Sequence, residues 1–175
     1  MELQSSRLYY RELLPTDDVH MFALDSLPEV HTYLYDPVVT DIQQSRDVIA
    51  YVRSQYTERG IGRMAALIKD TDAFIGWVGL KLERDINGRG QFYDIGYRLM
   101  PKYWGQGYAT EATLFFLDYA FNVLNADKVN AFAFTTNGAS LRVLQKCGLM
   151  PTERFIFNGQ ESVWLEIKRP VLIKL

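Results

Sequence analysis

The 175-residue chain reads as an α+β domain: a mixed, mostly antiparallel sheet of about six to seven strands, flanked by about four helices. Three features predict this. Met64 to Lys69, Phe74 to Glu83 and Gln91 to Leu99 are strand-like runs separated by Asp70-Thr71-Asp72 and by Asn87-Gly88, a strong hairpin signal, so they form an antiparallel meander. After them a glycine turn, a helical pattern from Ala109 to Phe121 and a strand from Val129 to Thr135 form a crossover. The tail then adds two strands, Arg154 to Asn158 and Ser162 to Lys168, hinged at Asn158-Gly159.

The remaining elements follow from local signals. Leu8 to Leu13 is a first strand, stopped by Pro15. Thr16 is the expected N-cap of a short helix toward Leu27, with Asp17 and Asp18 in its first turn. Pro28 to Val39, with Tyr33, Tyr35 and Pro37, is less regular. Asp41 caps a second helix whose Ile42, Val48 or Ile49, and Val52 share one stripe, ending before Gly60. A helix from about Ala139 to Cys147 ends at Gly148, the residue type preferred just past a helix end. No repeat, low-complexity tract or linker interrupts residues 1–175, which points to a single domain.

Hydrophobic residues make up 48% and charged residues 23%, an ordinary balance for a globular protein. A net charge of −2 argues against binding nucleic acid by bulk phosphate attraction. The single cysteine, Cys147, excludes an internal disulfide. Met1 to Arg11 lacks the apolar core of a signal peptide, and no run approaches ~18 apolar residues. A cytoplasmic protein with no membrane association is the expectation.

The stretch Tyr103-Trp104-Gly105-Gln106-Gly107-Tyr108-Ala109-Thr110-Glu111-Ala112 carries the most chemistry. Two glycines one residue apart let the backbone turn tightly, and a helix N-terminus follows. Unpaired amides and the positive end of the helix dipole make a cradle for a phosphate or pyrophosphate. The stretch is a near miss to the dinucleotide fingerprint, with Asp127 downstream, but an antiparallel hairpin feeds it rather than a parallel unit. No Gly-Lys-Ser/Thr follows, which excludes a kinase-type phosphate loop.

With these residues in hand, the chain resembles the GNAT superfamily of N-acetyltransferases, and within it the RimJ/RimL-like branch that acetylates protein N-termini. Arg7-Leu8 to Arg11 with Asp17-Asp18 resembles the opening strand and helix, Phe74 to Leu80 the third strand, and Asp94-Ile95-Gly96-Tyr97 the fourth. Trp104 to Ala112 resembles the cofactor loop, and Asn137, Ser140, Val143, Leu144, Lys146, Gly148 and Leu149 keep the spacing of the next block. Two positions depart from the pattern: Trp104 stands where Gln or Arg often opens the loop, and Leu144 stands where many members carry a tyrosine general acid.

The resemblance implies a single-domain GNAT-like fold and direct transfer of acetyl from acetyl-CoA to a primary amine in a ternary complex, without a metal. Trp104, Gly105, Gln106, Gly107, Tyr108, Ala109 and Thr110 then hold the cofactor, together with Leu99 and Met100 at the end of the fourth strand, whose N–H groups would also face the oxyanion. Asn137 would contact the pantetheine arm or cap its helix. Asp94 is the candidate base, direct or through a water, and the alternative is pairing with Arg98 or a neighbouring strand. By strand alternation Asp94 shares a face with Phe92, Gly96 and Arg98, where Gly96 leaves room for a ligand. Ser140 is the candidate substitute for the missing tyrosine, or an ordinary helix-start serine. Tyr33, Tyr35 and Tyr97 are candidates for an acceptor groove, and Lys102, Arg142 and Lys146 for the nucleotide phosphates. Cys147 reads as packing, and His20 and His31 lack metal-ligand spacing.

Three functions remain open: acetylation of a protein N-terminus, acetylation of a small amine (polyamine, amino acid or antibiotic), and a non-catalytic acyl-CoA-binding module. The protein is a monomer or a homodimer, the latter through an exposed last strand near Trp164.

Overall fold

The structure, a computed structural model, describes residues 3–170, so residues 1–2 and 171–175 of the expected domain lie outside it. Its strands are β1 (Leu3–Gln4), β2 (Leu8–Arg11), β3 (Met64–Ile68), β4 (Phe74–Glu83), β5 (Phe92–Leu99), β6 (Lys128–Phe134), β7 (Met150–Phe157) and β8 (Gln160–Lys168). They form one sheet in the order β1-β2-β3-β4-β5-β6-β8-β7. Its helices are α1 (Asp18–Asp25), α2 (Pro28–His31), α3 (Ile42–Arg59), α4 (Tyr108–Asn122) and α5 (Gly138–Lys146). Every strand pair is antiparallel except β5–β6.

The α+β class is as expected, with eight strands rather than six to seven. The extra strand, β1, has two residues and so no alternation to read. The added helix, α2, is a single turn begun by Pro28 within the stretch expected to be irregular.

Both hairpin signals act through their backbone. Asn87 (φ 54°) with Gly88 (φ 67°), and Asn158 (φ 46°) with Gly159 (φ 77°), occupy the left-handed region that tight hairpins require. Asp41 caps α3 by accepting from Gln43 N at 2.8 Å, while Gln44 Oε1 accepts from Asp41 N at 3.0 Å. At the first helix the expectation needs correcting. Thr16 lies inside a 3-10 turn, Pro15–Asp17, and α1 ends at Asp25 rather than Leu27. The side chain that organises this turn is Asp17, which accepts from Leu14 N at 2.7 Å and from both Nη atoms of Arg11 at 2.7 and 2.8 Å.

The two faces of the sheet bury different helices. On one, α4 and α5 cover a core that includes Ile75, Leu80, Ile95, Phe116, Leu144 and Leu165. On the other, Met21 of α1 and Ile49 and Val52 of α3 pack with Leu13, Ala65, Leu67 and Phe74. A third, aromatic cluster joins Phe92, Phe155 and Trp164 with Phe132 and Phe157. The last strand is interior: β8 pairs with β6 on one side and β7 on the other, and Trp164 is fully buried. The expected exposed strand at Trp164 is therefore corrected; the outer strand is β7, because β8 takes the whole length of β6 as its partner.

Burial alone would raise the Asp17 carboxyl, but the Arg11 and Leu14 hydrogen bonds outweigh it and hold the group below the usual carboxylate value. The resulting stabilisation is fully present above the unfolded-state value near ~3.9 and is lost as pH falls through the lower folded value. Asp17→Asn should therefore lower the melting midpoint at pH 7, and its deficit relative to the parent protein should shrink steadily as melts are repeated at acid pH. A deficit that stays constant into acid would show that the Asp17 charge contributes nothing.

Candidate active site

The parallel pair β5–β6 is joined at only two positions, Tyr93–Val129 and Asp94–Asn130. Beyond Asp94 the strands diverge, and among the described residues β5 from Ile95 to Leu99 pairs with β4 alone. A strand residue points its N–H and C=O to one side and the next residue to the other. Met100 N donates to Ile75 O at 2.8 Å, toward β4, so Leu99 turns its N–H and C=O into the fork. The Leu99 carbonyl is taken by Trp104 Nε1 at 2.7 Å, which folds the following loop back against the strand. Of the two expected donors at this strand end, Leu99 faces the fork and Met100 does not, because its N–H is spent on the β4 side.

The loop after β5 has the left-handed backbone that its glycines suggested. Gly105 (φ 72°) and Gly107 (φ 83°) are both left-handed, and a Cβ at Gly105 would meet nothing within 4 Å. Among the described residues, none of the six backbone N–H groups from Gly105 to Thr110 has an acceptor. Six consecutive free amides at the start of the 15-residue α4 suit an anion, and an open, Cβ-free surface suits close approach by a diphosphate. Gln106 turns its own amide to Lys102 O at 2.7 Å. Lys102, Arg142 and Lys146 are all exposed, and Lys102 rests its ammonium 4.9 Å from the Tyr103 ring centroid.

A cavity of about 260 Å³ runs through the fork. Its wall takes Asp94, Gly96 and Arg98 from one face of β5, and Tyr97, Ser140 and Leu144 from the other. Asp94 is 5% exposed and ion-paired with Arg63, Nη2 to Oδ2 at 2.5 Å. Arg63 Nη1 also donates to the carbonyls of Asp94, at 2.6 Å, and of Gly79. Burial pushes the Asp94 carboxyl up, opposed by the adjacent Arg63 charge. The space over Gly96 is not left for a ligand: a Cβ there would stand 2.7 Å from Arg63 Nη2, so the guanidinium itself fills it. Arg98, offered as a partner for Asp94, instead pairs with the buried Asp25 at 2.8 Å and lies 3.8 Å from Asp36. Lys81 pairs with Glu83 at 2.6 Å. Arg63 and Asp25 were not identified from sequence, since nothing in a one-dimensional pattern joins the loop before β3 or the end of α1 to β5.

On the opposite face Tyr97 Oη and Ser140 Oγ are 3.1 Å apart. Burial pushes the Tyr97 phenol up to about 12. Asn137 caps α5, its Oδ1 accepting from Ser140 N at 3.1 Å, so the helix-cap reading accounts for one of its two polar atoms. Leu144 is buried against the same core. Of the other tyrosines, Tyr33 is 40% exposed at the cavity wall. Tyr35 packs edge-on against Phe134 and Phe157, both at 4.5 Å, and its hydroxyl lies 3.1 Å from Ser162 Oγ. Cys147 is buried with its thiol pushed up to about 11, in keeping with packing. His20 stacks on Phe74 and His31 Nδ1 lies 2.9 Å from Asp36 O. Among the described residues no His/Cys/Asp/Glu group is arranged for a metal, and no helix is long and apolar enough to cross a membrane.

The family model described as "Acetyltransferase (GNAT) domain" matches residues 7–150. "Uncharacterized N-acetyltransferase p20" of Bacillus licheniformis is 33% identical over 153 residues, covering 85% of this chain and 84% of that protein. The crystal structure of a GNAT-family acetyltransferase from Bacillus anthracis superposes with a TM-score of 0.81 at 20% identity, covering 97% and 99% of the two chains. Spermidine N-acetyltransferase from Vibrio cholerae, solved in complex with CoA and spermine, superposes with a TM-score of 0.75 at 19% identity, covering 93% and 96%. A domain match across the fork and the cradle, on a sheet of the same architecture, establishes that this chain belongs to the GNAT family of acetyltransferases.

Proposed function

We propose that the protein transfers the acetyl group of acetyl-CoA to an α-amino group, that of a protein N-terminus in the manner of the RimJ/RimL-like branch. The observation that carries this reading is the state of Asp94. Its carboxylate is ion-paired with a buried guanidinium, and each carboxylate in the cavity wall has an arginine within 4 Å: Asp94 has Arg63, and Asp36 has Arg98 at 3.8 Å. A lysine-type amine, with a pKa near ~10.4, needs a competent base before it can attack a thioester. An α-amine, near ~7.7–8.0, is partly neutral at cellular pH and needs only to be oriented. A polyamine also requires several unpaired carboxylates, which the wall does not offer.

Bound acetyl-CoA supplies an activated thioester. The residues here fit it: the free amides of Gly105 to Thr110 suit the pyrophosphate, and the Leu99 N–H and the open fork suit the pantetheine arm. Tyr97 and Ser140 together hold a proton on the side of the fork nearest α5. A phenol at about 12 keeps that proton at neutral pH. An alkyl thiolate, near ~8.5, is too weak a base to take it outright. The pair therefore stabilises a leaving thiolate by hydrogen bonding, and Tyr97 fills the place left by Leu144.

Three outcomes follow. Thiol release measured with peptides bearing a free N-terminus, Nα-blocked lysine peptides, and spermidine should show turnover on the first group, with kcat/KM rising through pH ~7.7–8.0; preferential turnover of spermidine would reject the α-amine reading. Tyr97→Phe and Ser140→Ala should each lower kcat by ~10- to 100-fold with KM for acetyl-CoA little changed, the worth of a hydrogen bond of about 1.5–3 kcal/mol to a charged group; unchanged kcat in both would remove the pair from the chemistry. Asp94→Asn should cost roughly 3–5 kcal/mol in denaturant unfolding, because it strands the buried Arg63 charge. Full stability with kcat abolished would instead identify Asp94 as the base.

A further inference from the structure

The N-terminal strands reach across to the cradle through a clamp of side chains. Glu111, in the first turn of α4, accepts from Ser5 Oγ and from Arg7 N through Oε1, and from Arg7 Nε through Oε2, each at 2.7 Å. Held this way, Arg7 extends Nη1 to the Gln106 carbonyl at 3.0 Å. Its guanidinium lies over the Tyr108 ring, 4.3 Å from the centroid, and Nη2 stands 3.4 Å from where a Cβ on Gly107 would be. One side chain thus contacts Gln106 and Tyr108 and lies beside the Gly107 between them, at the centre of the cradle.

A trans peptide unit is planar, and its C=O and N–H point in opposite directions. The carbonyl of Gln106 and the N–H of Gly107 belong to one such unit. Pulling the carbonyl outward to Arg7 therefore turns the Gly107 N–H inward, alongside the other free amides. Rotation of this unit is set by ψ of Gln106 and φ of Gly107, and glycine at 107, with φ 83°, offers little resistance to it. Among the described residues no other donor meets the Gln106 carbonyl. Arg7 also neutralises Glu111, whose charge would otherwise oppose an anion at the same helix N-terminus.

We propose that Arg7, oriented by Glu111, is a positioning residue that locks the 106–107 peptide with its amide facing the pyrophosphate of acetyl-CoA. This rests on the cofactor reading above. The test compares the dissociation constants of CoA and of pantetheine, which lacks the nucleotide diphosphate, by calorimetry on the full chain and on Arg7→Met, Arg7→Lys and Glu111→Gln. Melting curves without ligand establish that each variant is folded. The expected result is an increase of ~10-fold in the CoA constant for Arg7→Met and Glu111→Gln, with pantetheine unchanged. Arg7→Lys keeps the charge but cannot span Glu111 and Gln106 together, and should recover only part of the loss. Equal weakening of both ligands, no weakening of either, or full recovery by lysine would overturn the positioning role. A parent protein that binds pantetheine but gains nothing from the diphosphate of CoA would overturn the cofactor reading of the cradle, and the clamp's role with it.

Discussion

Two rungs of parallel pairing, Tyr93–Val129 and Asp94–Asn130, join the two halves of the sheet, and what lies beyond them depends on their being only two. Had β5 and β6 paired along their full length, the Leu99 N–H would be spent on the ladder and no cavity would pass between the strands. The divergence begins where Arg63 is anchored, its guanidinium bonded to the Asp94 carboxylate, the Asp94 carbonyl and the Gly79 carbonyl. Gly96, the second residue past the last rung, has no Cβ because the guanidinium occupies that space. The ion pair therefore braces the closed end of the fork, and the cavity opens beyond it.

The electrostatics divide along the same line. On the Asp94 face the charges are paired: Asp94 with Arg63, Arg98 with Asp25, Lys81 with Glu83. On the α5 face the groups that meet are neutral hydroxyls, Tyr97 and Ser140. The two walls of the fork therefore differ in kind, ion pairs on one and hydroxyls on the other. The likeness to a spermidine acetyltransferase, at 19% identity, shows a common fold.

Much of the fold was legible because its signals are local. Asn87-Gly88 and Asn158-Gly159 demand left-handed backbone, Asp41 and Gly60 bound α3, and Gly148 closes α5, whatever the rest of the chain does. The cradle was legible for the same reason, since two glycines before a helix constrain their own amides. Asp94, Ser140 and Tyr97 were picked out singly, but the pairings Asp94–Arg63 and Ser140–Tyr97 were not. Arg63 lies 31 residues from Asp94 and Tyr97 lies 43 from Ser140, separations at which sequence patterns carry no information on contact. Tyr97, picked out as a candidate for an acceptor groove, lines the fork cavity, and its hydroxyl meets Ser140 Oγ there.

The sequence by itself determined the order of the longer elements, the hairpin turns, the left-handed glycine loop before α4 and the family, because each is set by residues within a few positions of one another. Tertiary structure alone decided that Asp94 is an ion-pair partner, that Met100 is spent on β4 while Leu99 faces the fork, that β8 is interior, and that Arg7 reaches the cradle. Each of these turns on which distant backbone or side chain fills a given space or accepts a given hydrogen bond, and that is settled only when the chain has folded.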